Sequence, residues 1–183
     1  KLLSWFRGIV VIDEAYIDFS TKKSLLNYLT LFPQLIVLQT MSKAWGNAGI
    51  RLGMAFADPE IIGILNKIKY PYNINYLTQQ HALQALQNPM QVEKWVALIL
   101  EEKEKLIKEL QKLKLVEKIY PSDANFILVK VENANAIYRF LIQNGIVVRN
   151  RSNMPLCNNC IRITVGTPEE NKALIDTLKK FHV

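Results

Sequence analysis

At 183 residues, half of them apolar, the chain is long enough to bury one or two cores and does not have the composition of a disordered segment. Its formal net charge is +7, but the lysines alternate with glutamates, as in Glu101 to Lys114, which describes solvated helix faces and not a nucleic-acid footprint. No window approaches the roughly 18 to 20 unbroken apolar residues of a membrane span and no charged-then-apolar leader opens the chain, so a cytoplasmic protein without nucleic-acid or membrane partners is expected.

In chain order, Lys1 to Gly8 reads like the tail of a helix, as in a fragment of a longer protein. Ile9 to Tyr16 (IVVIDEAY) is an apolar strand run that delivers Asp13 at its carboxyl end, with Tyr16 three residues on. Phe19 to Phe32 predicts a surface crossover whose helix is capped by Ser24. Leu35 to Leu38 is apolar on both faces, as expected of a strand buried in a parallel sheet. The stretch Gln39 to Gly53 (QTMSKAWGNAGIRLG) then places Thr40, Ser42, Lys43 and Arg51 in one Gly-punctuated connection beyond a strand's carboxyl end. Ligands bind outside such strand ends in open α/β sheets.

Met54 to Ala57 predicts another strand, and Asp58-Pro59 opens a helix that stops before Pro71. Tyr70 to Asn75 is turn-rich, and Leu77 to Gln87 predicts a short helix. Asn88-Pro89 starts the longest helix, with Val92, Trp95, Val96, Ile99, Leu106, Leu110 and Leu113 as its core-facing stripe. A domain boundary is placed here, giving domains 1–88 and 89–183. Strands follow at Val116 to Tyr120 and Phe126 to Val131, then a helix at Ala134 to Gln143 stopped by Gly145. Strands at Ile146 to Arg149 and Ile161 to Val165 precede a final helix, to about Lys180, opened by the capping box Thr167-Pro168-Glu169-Glu170. Cys157 and Cys160 form a Cys-x-x-Cys. With His81 and His182 at no ligand-like spacing, two reduced thiols in a loop and no metal are expected.

An acid beside one strand end and an amine beside the next, with hydroxyls and a guanidinium nearby, suit pyridoxal phosphate. That cofactor takes a lysine for its aldehyde, a carboxylate for its pyridine nitrogen, a donor for its ring oxygen, and cations and hydroxyls for its phosphate. Taken singly, Lys43 reads as an ordinary surface lysine, Asp13 as a cap and Tyr16 as a half-buried aromatic. Arg162 alternates with apolar neighbours in Cys160-Ile161-Arg162-Ile163-Thr164 and projects from one strand face. An unpaired buried guanidinium is costly, so it calls for an anion.

The motifs DEAYIDF, SKAWGNAGIRLG and IRITVGTPEEN together resemble the fold-type I aminotransferases, most nearly the histidinol-phosphate aminotransferase family, over that family's C-terminal half. The resemblance implies an α/β fold, the C-terminal part of a PLP-dependent transferase large domain plus the complete small domain. It implies a homodimer when full length and amino transfer from L-histidinol phosphate to 2-oxoglutarate. Asp13, Tyr16, Thr40, Ser42, Lys43 and Arg51 would bind the cofactor, with Lys43, Asp13 and Tyr16 catalytic. Arg162 would hold the oxo-acid carboxylate and Arg149 the substrate phosphate, Arg151 being a poorer candidate. Asn125 reads equally as a turn residue. Trp45 and Asn47 depart from the usual lysine motif, where phenylalanine and an aliphatic residue stand. Aromatic amino-acid aminotransferases and threonine-phosphate decarboxylases share the lysine and aspartate signals. A non-catalytic oligomerisation module, with Lys43 and Arg162 structural, is the alternative of another class.

Overall fold

The computed structural model describes residues 2–181, which leaves His182 outside the described residues. The chain is an α/β protein that divides into two compact units, residues 1–94 and 95–183, the division falling inside a helix.

The first unit is built on a three-stranded sheet of order β1-β2-β3, with β1 at Val10–Asp13, β2 at Leu35–Thr40 and β3 at Gly53–Ala57. Strand β2 is central, and its Leu35 and Val37 are wholly buried. It runs parallel to β1, with Asp13 beside Leu38, and antiparallel to β3, with Thr40 beside Gly53. Leu35 to Leu38 is thus a buried strand with the expected parallel neighbour, but the sheet is mixed because β3 returns antiparallel. A parallel return needs a crossover of a dozen or more residues, usually a helix, whereas residues 41–52 hold only a short 3-10 turn at Ala48–Ile50 and come straight back.

The connection from β1 to β2 carries 3-10 turns at Ile17–Phe19 and Leu25–Tyr28 in place of the α-helix expected there. Ser24 does cap the second turn, accepting from the Leu26 amide at 3.1 Å. A one-turn helix α1 at Leu2–Trp5 precedes β1. After β3, α2 (Pro59–Ile68) starts as its Asp58-Pro59 signal directs, with the Asp58 carboxylate accepting from the Glu60 amide at 2.9 Å. Helix α3 (Tyr76–Leu86) is capped by Asn75. Helix α4 runs Pro89–Leu110. Its stripe does not all face inward: Val92, Leu106 and Leu110 are buried, but Trp95 is 47% exposed.

The second unit has a four-stranded antiparallel sheet of order β4-β5-β7-β6. Its strands are β4 (Val116–Ile119), β5 (Phe126–Val131), β6 (Arg149–Asn150) and β7 (Cys160–Thr164). Helices α5 (Ala134–Gln143) and α6 (Pro168–Leu178) complete it. The expected strand at Ile146 to Arg149 shrinks to its last residue plus Asn150, because only Arg149 and Asn150 find partners on β7 while Ile146 bonds back to the Leu141 carbonyl.

Alternation along β5 and β7 puts Ile127, Val129, Val131, Ile161 and Ile163 on one face. These pack with Leu106 and Leu110 of α4, Ile137 and Leu141 of α5, and Leu174, Ile175 and Leu178 of α6. Each such side chain contributes roughly 1.5–3 kcal/mol by leaving water. Capping boxes and side-chain caps fix the helix starts: Asn133 accepts from Ala136, and Thr167 and Glu170 bond reciprocally. Buried polar groups also tie this unit together. Lys103 donates to the Ser122 and Ala124 carbonyls, and Asn171 joins Glu102 to both backbone groups of Gly166.

Candidate active site

In the first unit the carboxyl ends of β1 and β2 lie side by side, because parallel pairing sets Asp13 against Leu38. The DEAY loop and the QTMSKAWG loop therefore leave the sheet at the same edge. Asp13 is exposed there, and one carboxylate oxygen accepts the Ala15 amide at 2.9 Å, an Asx turn that orients the group locally. Lys43 extends its Nζ over the Tyr16 ring, 5.0 Å from the centroid, within cation–π range. Amine and phenol thus meet although 27 positions separate them in sequence.

Hydroxyl and guanidinium donors lie in the connection from β2 to β3. Thr40 Oγ1 lies 3.0 Å from Ser42 Oγ and 3.1 Å from the Leu52 carbonyl, and it accepts the Ser42 amide at 3.1 Å. Thr40 holds the loop through these bonds, and Ser42 is the half-buried hydroxyl beside it. Arg51 closes the connection in the left-handed region, φ 56°, with its guanidinium donating to the Ala48 carbonyl at 3.0 Å and exposed to solvent. A non-glycine residue held at positive φ is a device found at ligand clamps. Gly46, φ 66°, allows the tight turn in which its amide bonds to the Lys43 carbonyl.

Two supports of this edge were not read from the sequence. Glu14, only 7% exposed, accepts from the Ser24 hydroxyl at 2.6 Å, the Leu25 amide at 2.7 Å and the Gln39 amide group at 3.1 Å. A buried carboxylate with three donors stitches the β1 loop to the crossover and to β2, and so aims its neighbour Asp13. Its only sequence signal was its place within DEAY. On the other side, His81 of α3 bonds to the Asn47 side chain at 3.0 Å and Thr78 donates to the Ile50 carbonyl at 3.3 Å. Helix α3 thereby clamps the lysine loop at Asn47, one of the two positions departing from the usual motif. A groove of about 810 Å³ beside this clamp is lined by Ile50, Thr78, His81 and Gln84, among others, and not by Lys43 or Asp13.

In the second unit Arg162 and Arg149 are direct cross-strand partners on β7 and β6. They share the sheet face opposite the helices with Phe126, Leu128 and Lys130. Arg162 stacks on the Phe126 ring at 4.9 Å, and its buried Nε has no hydrogen-bond partner among the described residues. Like charges directly opposite each other are unfavourable, and an orphaned buried donor adds a further cost. Arg151 spends its amide on the Cys160 carbonyl, and Asn125 offers its carbonyl to Val165 at the end of β7. Among the described residues no three His, Cys, Asp or Glu side chains group as a metal site, and no helix is long and apolar enough to cross a membrane.

This donor set of amine, carboxylate, phenol, hydroxyls and guanidinium at one sheet edge coincides with a family match over residues 1–178, to the aminotransferases of class I and II. The chain belongs to that aminotransferase family. A histidinol-phosphate aminotransferase of Parabacteroides distasonis is 58% identical over 181 residues, which are 99% of this chain and 52% of that protein. The chain thus spans about half the length of the curated relatives it matches. The solved histidinol-phosphate aminotransferase from Clostridium acetobutylicum superposes with a TM-score of 0.87 at 26% identity, covering 93% of this chain and 53% of that one. The enzyme from Sinorhizobium meliloti, solved in complex with pyridoxal-5'-phosphate, superposes with a TM-score of 0.82 at 25% identity, over 93% of this chain and 49% of that one.

Proposed function

We propose that the protein carrying this chain is a pyridoxal-phosphate-dependent histidinol-phosphate aminotransferase, exchanging the amino group between L-histidinol phosphate and 2-oxoglutarate. The observation that carries the reading is Lys43 Nζ lying over Tyr16 at the shared edge of β1 and β2, where Asp13 also emerges. The donor set fits the cofactor group by group. Asp13 would pair with the pyridine nitrogen, Tyr16 with the ring oxygen, and Ser42, Arg51 and Thr40 with the phosphate, while Lys43 holds the aldehyde carbon. Bound there, the cofactor supplies an electron sink for the carbon that loses a proton.

The chain's own residues do the rest. Lys43 Nζ takes the proton from the substrate carbon bearing the amine and returns it during transfer. The Asp13 carboxylate holds a proton at the pyridine nitrogen by its negative charge, and Glu14 keeps that carboxylate in place. Arg162 and Arg149 bind the carboxylate of the oxo acid and the phosphate of the amino donor, each by a two-pronged guanidinium contact.

In this reading, residues 1–88 are the C-terminal part of a large cofactor domain and 89–183 the small domain. The full-length protein is a cytoplasmic homodimer with small-molecule substrates. The exposed Tyr70, Tyr72, Tyr76 and Leu77 support the dimer. Assay of the full-length protein on histidinol phosphate, phenylalanine and threonine phosphate tests the activity. Turnover confined to histidinol phosphate is expected, and a preference for either of the others overturns the substrate assignment. Sedimentation of the same protein tests the dimer, with a monomer at working concentration as the refuting result.

A further inference from the structure

We propose that Cys157 and Cys160 form a dithiol that closes reversibly into a disulfide across the β-turn where the β6–β7 loop enters β7, with a low-molecular-weight disulfide as oxidant. The loop joining Asn150 to Cys160 is a ladder of three successive turns. Met154 bonds back to Arg151 at 2.9 Å, Cys157 to Met154 at 3.1 Å, and Cys160 to Cys157 at 3.0 Å. The last of these makes residues 157–160 a hydrogen-bonded β-turn, and a β-turn holds its end Cα atoms within about 7 Å. Disulfides span about 4.4–6.8 Å between Cα atoms, so the bridge closes a ring that the backbone has already closed. Asn159 takes the left-handed conformation, φ 53°, that lets the chain turn back onto β7.

The two thiols differ in the way a stepwise exchange requires. Cys157 is partly exposed on the loop, whereas Cys160 is 1% exposed at the start of β7, opposite Lys130. Burial raises the Cys160 thiol above its ordinary range, and so does the nearby Cys157, which places the two sulfurs within electrostatic reach. Lys130 and the Tyr120 hydroxyl act the other way and favour the thiolate.

The exchange balances as follows. The Cys157 thiolate attacks one sulfur of the small disulfide, forming a mixed disulfide and releasing one small thiolate. The Cys160 thiolate then attacks Cys157 Sγ, forming the internal S–S bond and releasing the second small thiolate. Two protein thiols are oxidised, one small disulfide is reduced to two thiols, and the two protein protons go to solvent or to those thiols. No third His, Cys, Asp or Glu joins the pair among the described residues, so the geometry favours a bridge over a metal ligand set. The bridge pins the residue two positions before Arg162, at the entry to β7.

Oxidised glutathione is the probe, applied to the folded full-length protein, followed by alkylation and non-reducing trypsin digestion. Residues 152–162 (SNMPLCNNCIR) form one tryptic peptide holding both cysteines. It should appear unalkylated, lighter by two hydrogen atoms and free of glutathione, and dithiothreitol should reverse this. A peptide with both thiols still alkylatable, or with glutathione stably attached, overturns the proposal. Cys160→Ser should arrest the exchange with one glutathione on Cys157, and an unreactive Cys157 there also overturns it. Should Cys160→Ser fail to fold, the exposed-side variant Cys157→Ser should leave Cys160 unmodified. Attachment to Cys160 at the wild-type rate would then refute the assigned order.

Discussion

The two units of this chain contrast in where their buried surface lies. Residues 95–183 bury one broad core of β5, β7, α4, α5 and α6 side chains, while the sheet cluster of the first unit is Val10, Leu35 and Val37 with partly buried Leu3, Ile12, Leu25, Leu26, Leu29 and Phe32. Strand β1 leaves Val11 53% exposed. The proposed cofactor-binding groups follow the opposite distribution, since Lys43, Asp13, Tyr16, Ser42 and Arg51 all lie in the thinly packed unit. Loops that bind and react are held by specific polar contacts, here those of Glu14, Thr40 and His81, while bulk apolar packing stabilises the other unit.

Lys43→Ala should sharpen the contrast most. In the full-length enzyme we expect at least about four orders of magnitude lost in turnover, since groups acting as a unit fail together, with an unchanged melting temperature. Borohydride reduction of the cofactor-loaded enzyme and peptide mapping should put the label on Lys43, and a label on another lysine refutes the assignment. Leu110→Ala should do the reverse, destabilising the second unit by about 2–5 kcal/mol through a cavity in its core. Denaturant unfolding monitored by hydrogen exchange should show residues 95–181 losing protection, and an effect confined to residues 2–94 would break the comparison.

Asp13→Asn keeps the shape and removes the charge, so about 100-fold in turnover should be lost, comparable to deleting one preorganised electrostatic donor. Near wild-type turnover would return Asp13 to a turn-forming role through Ala15. The two arginines should separate by substrate. Arg162→Lys should weaken glutamate and 2-oxoglutarate, and Arg149→Lys histidinol phosphate, each by about tenfold in KM, because lysine loses the fork. Equal effects on both substrates would end that division.

The smallest effect is a pH dependence confined to the second unit. Hydrogen bonds from Lys105 and Asn171 hold the Glu102 carboxyl below the ordinary glutamate range. A group whose pKa is lowered by folding contributes stability that is fully present above its unfolded value of about 4.3 and lost as pH falls through the folded one. Acid titration of unfolding should therefore show the second unit weakening below about pH 4.3, and Glu102→Gln should flatten that slope. An unaltered slope would mean Glu102 is not the sensor.

How much was legible depended on whether the determinant was local. Helix starts at Asp58 and Thr167 follow from side chains that satisfy amides two or three residues away, and nearest neighbours carry that information. The core positions of β5 and β7 follow from period-two alternation for the same reason. The lysine and aspartate loops were legible because a strand end and its following residues are contiguous.

Tertiary structure alone decided matters in which groups distant in sequence share a hydrogen bond or a face. It turned β3 antiparallel, since residues 41–52 offered no crossover helix. It buried Glu14 by bringing Ser24, Leu25 and Gln39 to it, set His81 against Asn47, and left Trp95 outward on a stripe that periodicity assigned to the core. The pairing of Arg149 with Arg162 is of the same kind. Each arginine's strand is a local pattern, but the register that places two like charges opposite each other exists only once β6 and β7 have exchanged backbone hydrogen bonds.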